Sequence, residues 1–193
     1  MSRSFADRVR FGVLTLTHAA VLVAMPFTVG RSEVVPFTTS GFTVTHEVVL
    51  PGTPEFIYDA FTGDIKPWWD HTWSGNPKAL YIEPKAGGGF YEIFDDSGNS
   101  ALHATVITAW RGKLLRMDGP LGLAGEAMTL VHTLEFTARG ADSTHIKLTV
   151  NGAGQIKPDI PGAVDGVWQH FLIGRFKPYV ESGQYREKVN TSK

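Results

Sequence analysis

Seven histidines and no cysteine set the chemistry open to this chain. Without cysteine there are no disulfides, thiolate metal centres or thiol nucleophiles. Imidazole and carboxylate remain as the groups able to move a proton near neutral pH. His132 lies between Leu130 and Leu134 on the apolar side of a strictly alternating run, and His46 has the same parity in an earlier run. Either can point into an interior cavity as a polar anchor or proton acceptor, or serve as a core histidine bonded to a backbone carbonyl. His103 alternates against Leu102, Val106 and Trp110 and is expected to face water, and His170, next to Phe171, to sit at a helix edge.

The spacing of these residues excludes several classes of site. There is no His-Glu-x-x-His, and His132 and Glu135, three apart, fall on opposite faces of a strand, so no metal site is expected. Gly87-Gly88-Gly89 is not followed by Gly-Lys-Ser/Thr and reads as a hairpin rather than a phosphate cradle. Glycines 119, 122 and 125 open no dinucleotide-binding helix, so no cofactor is expected. Neither a Gly-x-Ser-x-Gly elbow nor a thiol is present for nucleophilic catalysis. Acid/base work would fall to a lone cavity His or Glu, and no pattern demands it.

The elements that must position these groups follow from periodicity. Residues 162–183 carry Val164, Val167, Trp168, Phe171, Leu172, Phe176 and Tyr179 at three-four spacing, which predicts one amphipathic helix of about 20 residues, ~30 Å long. Pro178, without an amide proton, is expected to bend it or weaken its last turn. Residues 41–50 alternate as a strand, Thr53 and Pro54 open a short helix ending at Gly63, and residues 65–70 predict a second short helix holding Trp68 and Trp69. Strands follow at 80–84, 90–94, 101–110, 114–117, 128–137 and 146–150, linked by turns, and so pair antiparallel. Their apolar face is the bed for the late helix.

Charge is balanced, with 18 Lys and Arg against 19 Asp and Glu and a net charge of −1. Nothing concentrates positive charge as a nucleic-acid surface requires. Residues 1–30 place Arg3, Arg8 and Arg10 before the apolar run 11–29, the shape of an export signal, with residues 28–30 as the best cleavage site. That reading predicts a periplasmic or secreted protein. An uncleaved anchor at 11–29, or a cytoplasmic chain with an amphipathic extension or a later start at Met25, are the other readings. Residues 31–40 read as a linker and 184–193 as a polar tail.

Three stretches carry a resemblance: Leu50-Pro-Gly-Thr-Pro-Glu-Phe-Ile-Tyr-Asp-Ala-Phe61 after the first strand, Ile82-Glu-Pro-Lys-Ala-Gly-Gly-Gly-Phe-Tyr-Glu92 at the central hairpin, and Gly166-Val-Trp-Gln-His-Phe171 in the last helix. With the element order, they resemble the SRPBCC (START/Bet v 1-like) superfamily over residues 41–183, in the branch named for activators of the heat-shock chaperone ATPase. The resemblance implies an α+β helix-grip domain, in which a curved antiparallel sheet of six to seven strands wraps the long C-terminal helix, with two short helices after the first strand. It also implies a cavity between sheet and helix, bordered by Trp68, Trp69, Trp73, Phe90, Trp110, Met128, Trp168 and Phe171 with His132 as a polar anchor. The partner expected is a small hydrophobic or aromatic molecule, held by a monomer or weak dimer. A co-chaperone-like interaction module and a polyketide cyclase-like enzyme using a cavity His are the alternatives.

Overall fold

A computed structural model of the chain describes residues 36–186; the expectations for residues 1–30 and for the end of the tail lie outside the described residues. Eight strands form one antiparallel sheet: β1 (Ser40–Pro51), β2 (Gly63–Asp64), β3 (Ala79–Ile82), β4 (Gly89–Ile93), β5 (Ser100–Trp110), β6 (Leu114–Asp118), β7 (Met128–Ala138) and β8 (Ser143–Gly154). Helix α1 (Pro54–Phe61) follows β1, and α2 (Ile160–Gln169), a wide π-helical segment (His170–Phe176) and α3 (Lys177–Glu181) form the C-terminal helix. The spatial order is β1-β8-β7-β6-β5-β4-β3-β2. First and last strands therefore pair along their whole length, from Ser40 opposite Gly154 to Pro51 opposite Ser143.

Alternation decides which side of each strand is buried. Val44, Val48, Leu50, Leu130, Leu134, Ile146, Leu148 and Val150 form the inner face of β1, β8 and β7. Thr53 caps α1 through the Phe56 amide, Pro54 supplies its preset φ, and Gly63 leaves the helix at a φ of 67°. The α1 face of Ile57, Tyr58, Ala60 and Phe61 is buried in the same core.

Three features depart from the sequence reading. The sheet has eight strands rather than six to seven, because the two-residue β2 is too short to show a period. The second short helix is a single turn: the amides of Trp68 and Trp69 both donate to the Ile65 carbonyl (3.1 and 2.9 Å), and the helix goes no further. Beyond Gly183, where the sequence reading ended the folded body, Tyr185 is buried in the core.

A further departure, in the C-terminal helix, is one of pitch. At about 100° per residue, buried positions 160, 164, 168 and 171 of an ordinary α-helix share one direction, whereas 172, 176, 179 and 180 would centre roughly 100° away. All eight are nevertheless buried. The wide segment absorbs one residue and resets the phase, so both halves face the sheet. Pro178 contributes to this: it cannot donate to the preceding turn, and the amide just before it, on Lys177, reaches back to the Leu172 carbonyl. Instead of a weakened last turn, the helix widens upstream of the proline.

Candidate functional site

Strand β5 departs twice from strict alternation, and both departures shape the site. Phe90 pairs with Ala104 and Tyr91 with Leu102, so His103 is an extra residue opposite β4; Val106 pairs with Met117 and Thr108 with Arg116, so Ile107 is extra opposite β6. Each is a β-bulge, which re-aims the side chains on either side of it. The first turns both His103 and Ala104 inward, correcting the expectation that His103 faces water. The second exchanges the faces of the strand end, so Ala109 packs on the core and Trp110 is 58% exposed beneath the Lys113 ammonium. Trp110 therefore lies outside the cavity.

A cavity of about 320 Å³ lies between the sheet and the first half of the C-terminal helix. Its helix wall is Ala163, Val164, Val167, Trp168 and Phe171, and its sheet wall is His103 and Leu130. The residues after the Ile65 turn, Trp69 and 71–73, form one side, and the connection 120–123 closes the other. Exposed Trp73, Gly122 and Ala163 mark where it opens to solvent. Trp69 and Phe171 stack at 3.7 Å and 15°, making a flat aromatic surface. Leu121, a lining residue, holds a φ of 51°, a strained conformation for a side chain of this size.

Of the residues expected to border the cavity, Trp69, Trp73, Trp168 and Phe171 line it. Trp68 and Phe90 are buried behind the wall, Phe90 edge-on to Trp69 at 5.0 Å, and Met128 packs half-buried at the start of β7. His132 is fully buried 5.3 Å from the Trp168 ring but is not part of the cavity lining. Its Nε2–H donates to the Gly119 carbonyl (3.0 Å), while Nδ1 is buried without a partner. Burial pushes its pKa down to about 4, so the imidazole is neutral. His46 packs beside Asp165 of α2, 3.0 Å away, also outside the lining.

The polar wall instead belongs to a pair the sequence pattern did not single out. Glu92 is completely buried and accepts four hydrogen bonds: from the Ser74 amide (2.9 Å) and hydroxyl (2.8 Å) on Oε1, and from the Trp73 amide (3.0 Å) and His103 Nε2–H (2.9 Å) on Oε2. Burial alone would raise its pKa, but these bonds outweigh it and hold the carboxyl below its usual range. Glu92 thus pins the 73–74 backbone and His103 to one point on the cavity wall. Its signal in the sequence was weak: a Glu between Tyr91 and Ile93, where alternation alone does not reveal a buried charge.

At the rim, Asp70 accepts from His71 Nδ1 (2.8 Å) and His170 Nε2 (2.9 Å) on Oδ1 and from Arg175 Nε (3.1 Å) on Oδ2. Burial opposes ionisation here too, and the bonds to His170 and His71 overcome it to lower the Asp70 pKa. Asp70, His71 and His170 offer ligand atoms within 4.8 Å of one another, the donor set of a divalent transition-metal site, and sequence spacing missed it because 100 residues separate its parts. Arg175 already balances the carboxylate, so the group is complete as an ion-pair clasp tying residue 70 to the C-terminal helix. Among the described residues no helix is long and apolar enough to cross a membrane.

No family model matches the chain, and no curated protein matches it. Among solved structures it is similar to a protein from Mesorhizobium loti (20% identity over 73% of this chain and 98% of that one, TM-score 0.53). It is also similar to a protein from Chromobacterium violaceum (18%, 72% and 96%, TM-score 0.50). Aha1 from Colwellia psychrerythraea, solved as a dimer, matches at the same values (18%, 72% and 96%, TM-score 0.50). At these identities the likeness concerns the fold alone, an antiparallel sheet gripping a C-terminal helix.

Proposed function

We propose that this chain is a helix-grip protein of the SRPBCC kind that binds a small apolar or aromatic molecule between its sheet and α2. The cavity carries this reading. Its volume falls at the lower end of ligand pockets, roughly 300 to 1,000 Å³, and its walls are apolar apart from His71, Thr72 and His103. That composition suits a ligand with one polar group. A cyclase-like role for His132 loses ground because the ring is sealed behind Trp168, outside the lining.

The test is native mass spectrometry of the protein purified from its own host. A small molecule copurifying with the wild type and absent from a Val167→Trp variant, which fills the cavity, is the expected result. A wild-type chain that arrives empty and also fails to bind a panel of one- and two-ring aromatics defeats the reading. The same spectrum reads the N-terminus: a chain beginning near residue 31 supports the export reading of residues 1–30.

A protein-interaction module is the second reading, favoured by one observation. The β5 bulges leave Leu102, Ile107 and Trp110 exposed along one strand, and exposed apolar side chains of this size can serve as docking points for a protein partner. Copurification of a protein that is lost in Trp110→Ser, with the cavity empty, would favour it.

A further inference from the structure

We infer that the cavity selects an aromatic molecule bearing a neutral hydroxyl, a phenol or naphthol, whose O–H donates to Nδ1 of His103. This rests on the ligand-binding reading above and names the ligand class.

The argument begins with the acceptor count at Glu92. A carboxylate offers about four lone-pair sites, and four donors from Ser74, Trp73 and His103 occupy them. Glu92 therefore has no acceptor left for a ligand. What it does is set the imidazole: a carboxylate saturated by donors on Nε2 requires a proton there, which leaves Nδ1 as the ring nitrogen that a ligand's O–H can meet. Among the described residues no hydrogen bond engages Nδ1, and His103 lines the cavity.

The rest of the wall narrows the class. Among the described residues neither lysine nor arginine lines the cavity, and Arg175 at the rim is engaged with Asp70, so a carboxylate such as a fatty acid finds no counter-charge. An ammonium would lose its water with no free carboxylate facing it, since the Glu92 charge is already fully bonded. Trp69 Nε1–H is spent on the His71 carbonyl, and His71 Nδ1–H on Asp70. Of the remaining polar groups in the lining, His103 Nδ1 is the one whose opposite ring nitrogen is fixed by Glu92. Flat surroundings do the remaining selection: the stacked Trp69 and Phe171, together with Trp73 and Trp168, present ring faces and edges. At ~30 Å³ per water, the cavity volume corresponds to roughly ten waters, and a two-ring aromatic fits within it.

The test compares 2-naphthol with 2-methoxynaphthalene, which keeps the rings and the oxygen but has no donor. Titration of the full chain, followed by tryptophan fluorescence and calorimetry, is expected to show 2-naphthol binding about 10-fold or more tightly, the scale of one hydrogen bond made against an otherwise unpaired group. In His103→Phe the two probes should bind within about threefold of each other. Histidine ¹⁵N spectra of the wild type, which need no variant to fold, should show one unprotonated Nδ1 resonance moving with 2-naphthol and staying put with 2-methoxynaphthalene. Equal affinity of the two probes for the wild type, or a preference that survives in His103→Phe, overturns the hydroxyl inference while leaving the cavity reading intact. Binding of neither probe overturns both.

Discussion

The two ends of the C-terminal helix face the same sheet and are filled in opposite ways. Under the π segment and α3, Phe61, Trp68 and Phe176 meet at centroid distances of 4.9 to 5.1 Å with no space between them. Under α2, Trp168 and Phe171 share their side of the sheet with a cavity. The solid end even retains two unpartnered buried donors, Tyr58 Oη and Trp68 Nε1, and burial, aided by Asp59, pushes the Tyr58 pKa up to about 12. The hollow end concentrates its polar groups into paired sets at the wall and rim. The difference teaches that space in this fold is allotted by position along one helix: the distal half is packed solid and the proximal half leaves a cavity.

The largest test of this contrast truncates one apolar side chain at each end. Phe176→Ala should cost about 3–5 kcal/mol in denaturant unfolding, because its neighbours cannot collapse into the void. Leu123→Ala, on the cavity side and half-buried, should cost about 1 kcal/mol or less. Similar losses at the two sites would erase the distinction between solid and hollow.

His132, between the two regimes, should impose an acid dependence. Its folded pKa of about 4 lies below the ordinary 6.5, so from pH 6.5 down to 4 the unfolded chain binds a proton that the folded chain refuses. Stability is then full above pH 6.5 and falls by about 3 kcal/mol on approaching pH 4. In His132→Gln, which keeps a donor for the Gly119 carbonyl, that component should vanish from the stability–pH curve. Glu92 and Asp70, whose folded pKa values are lowered, lose their contributions only below the ordinary carboxylate range, which separates them from His132.

Tyr58→Phe removes an unpartnered hydroxyl from the solid end and should be neutral or stabilising by up to ~1 kcal/mol, seen as a raised denaturation midpoint. A clear loss would mean the hydroxyl has a partner in solution. Smallest of all, Trp110→Ala should change stability by no more than about 0.5 kcal/mol and leave aromatic-probe affinity unchanged, since the ring projects outward.

Much of the fold was legible because alternation in β1, β7 and β8 and the apolar stripe of the last helix are carried by many residues at once. The site was legible where it used those same elements: Trp168 and Phe171 follow from helical spacing, and Trp69 from its place after α1. It was illegible where one extra residue changes the parity of a strand. Nothing in residues 100–110 marks the bulges at His103 and Ile107; neither a glycine nor a proline stands there. The nearest clue is Gly119, where a Cβ would come within 2.5 Å of the Ala104 Cα, so that only glycine lets the end of β6 close on the bulged strand. Glu92 was hidden for a different reason: its four donors come from residues 73, 74 and 103, joined only once the sheet has formed.

The wide turn at 170–176 also makes chain length negotiable at one place in the helix. Deleting a single exposed residue there, Ile173 or Gly174, turns residues 160–180 into an ordinary α-helix with both buried faces still against the sheet. A deletion between Val164 and Trp168 instead swings Ile160 and Val164 by about 100° toward solvent and opens the cavity wall. Insertions and losses of one residue in proteins of this shape should therefore collect at the wide turn, leaving the hollow end and the solid end each intact.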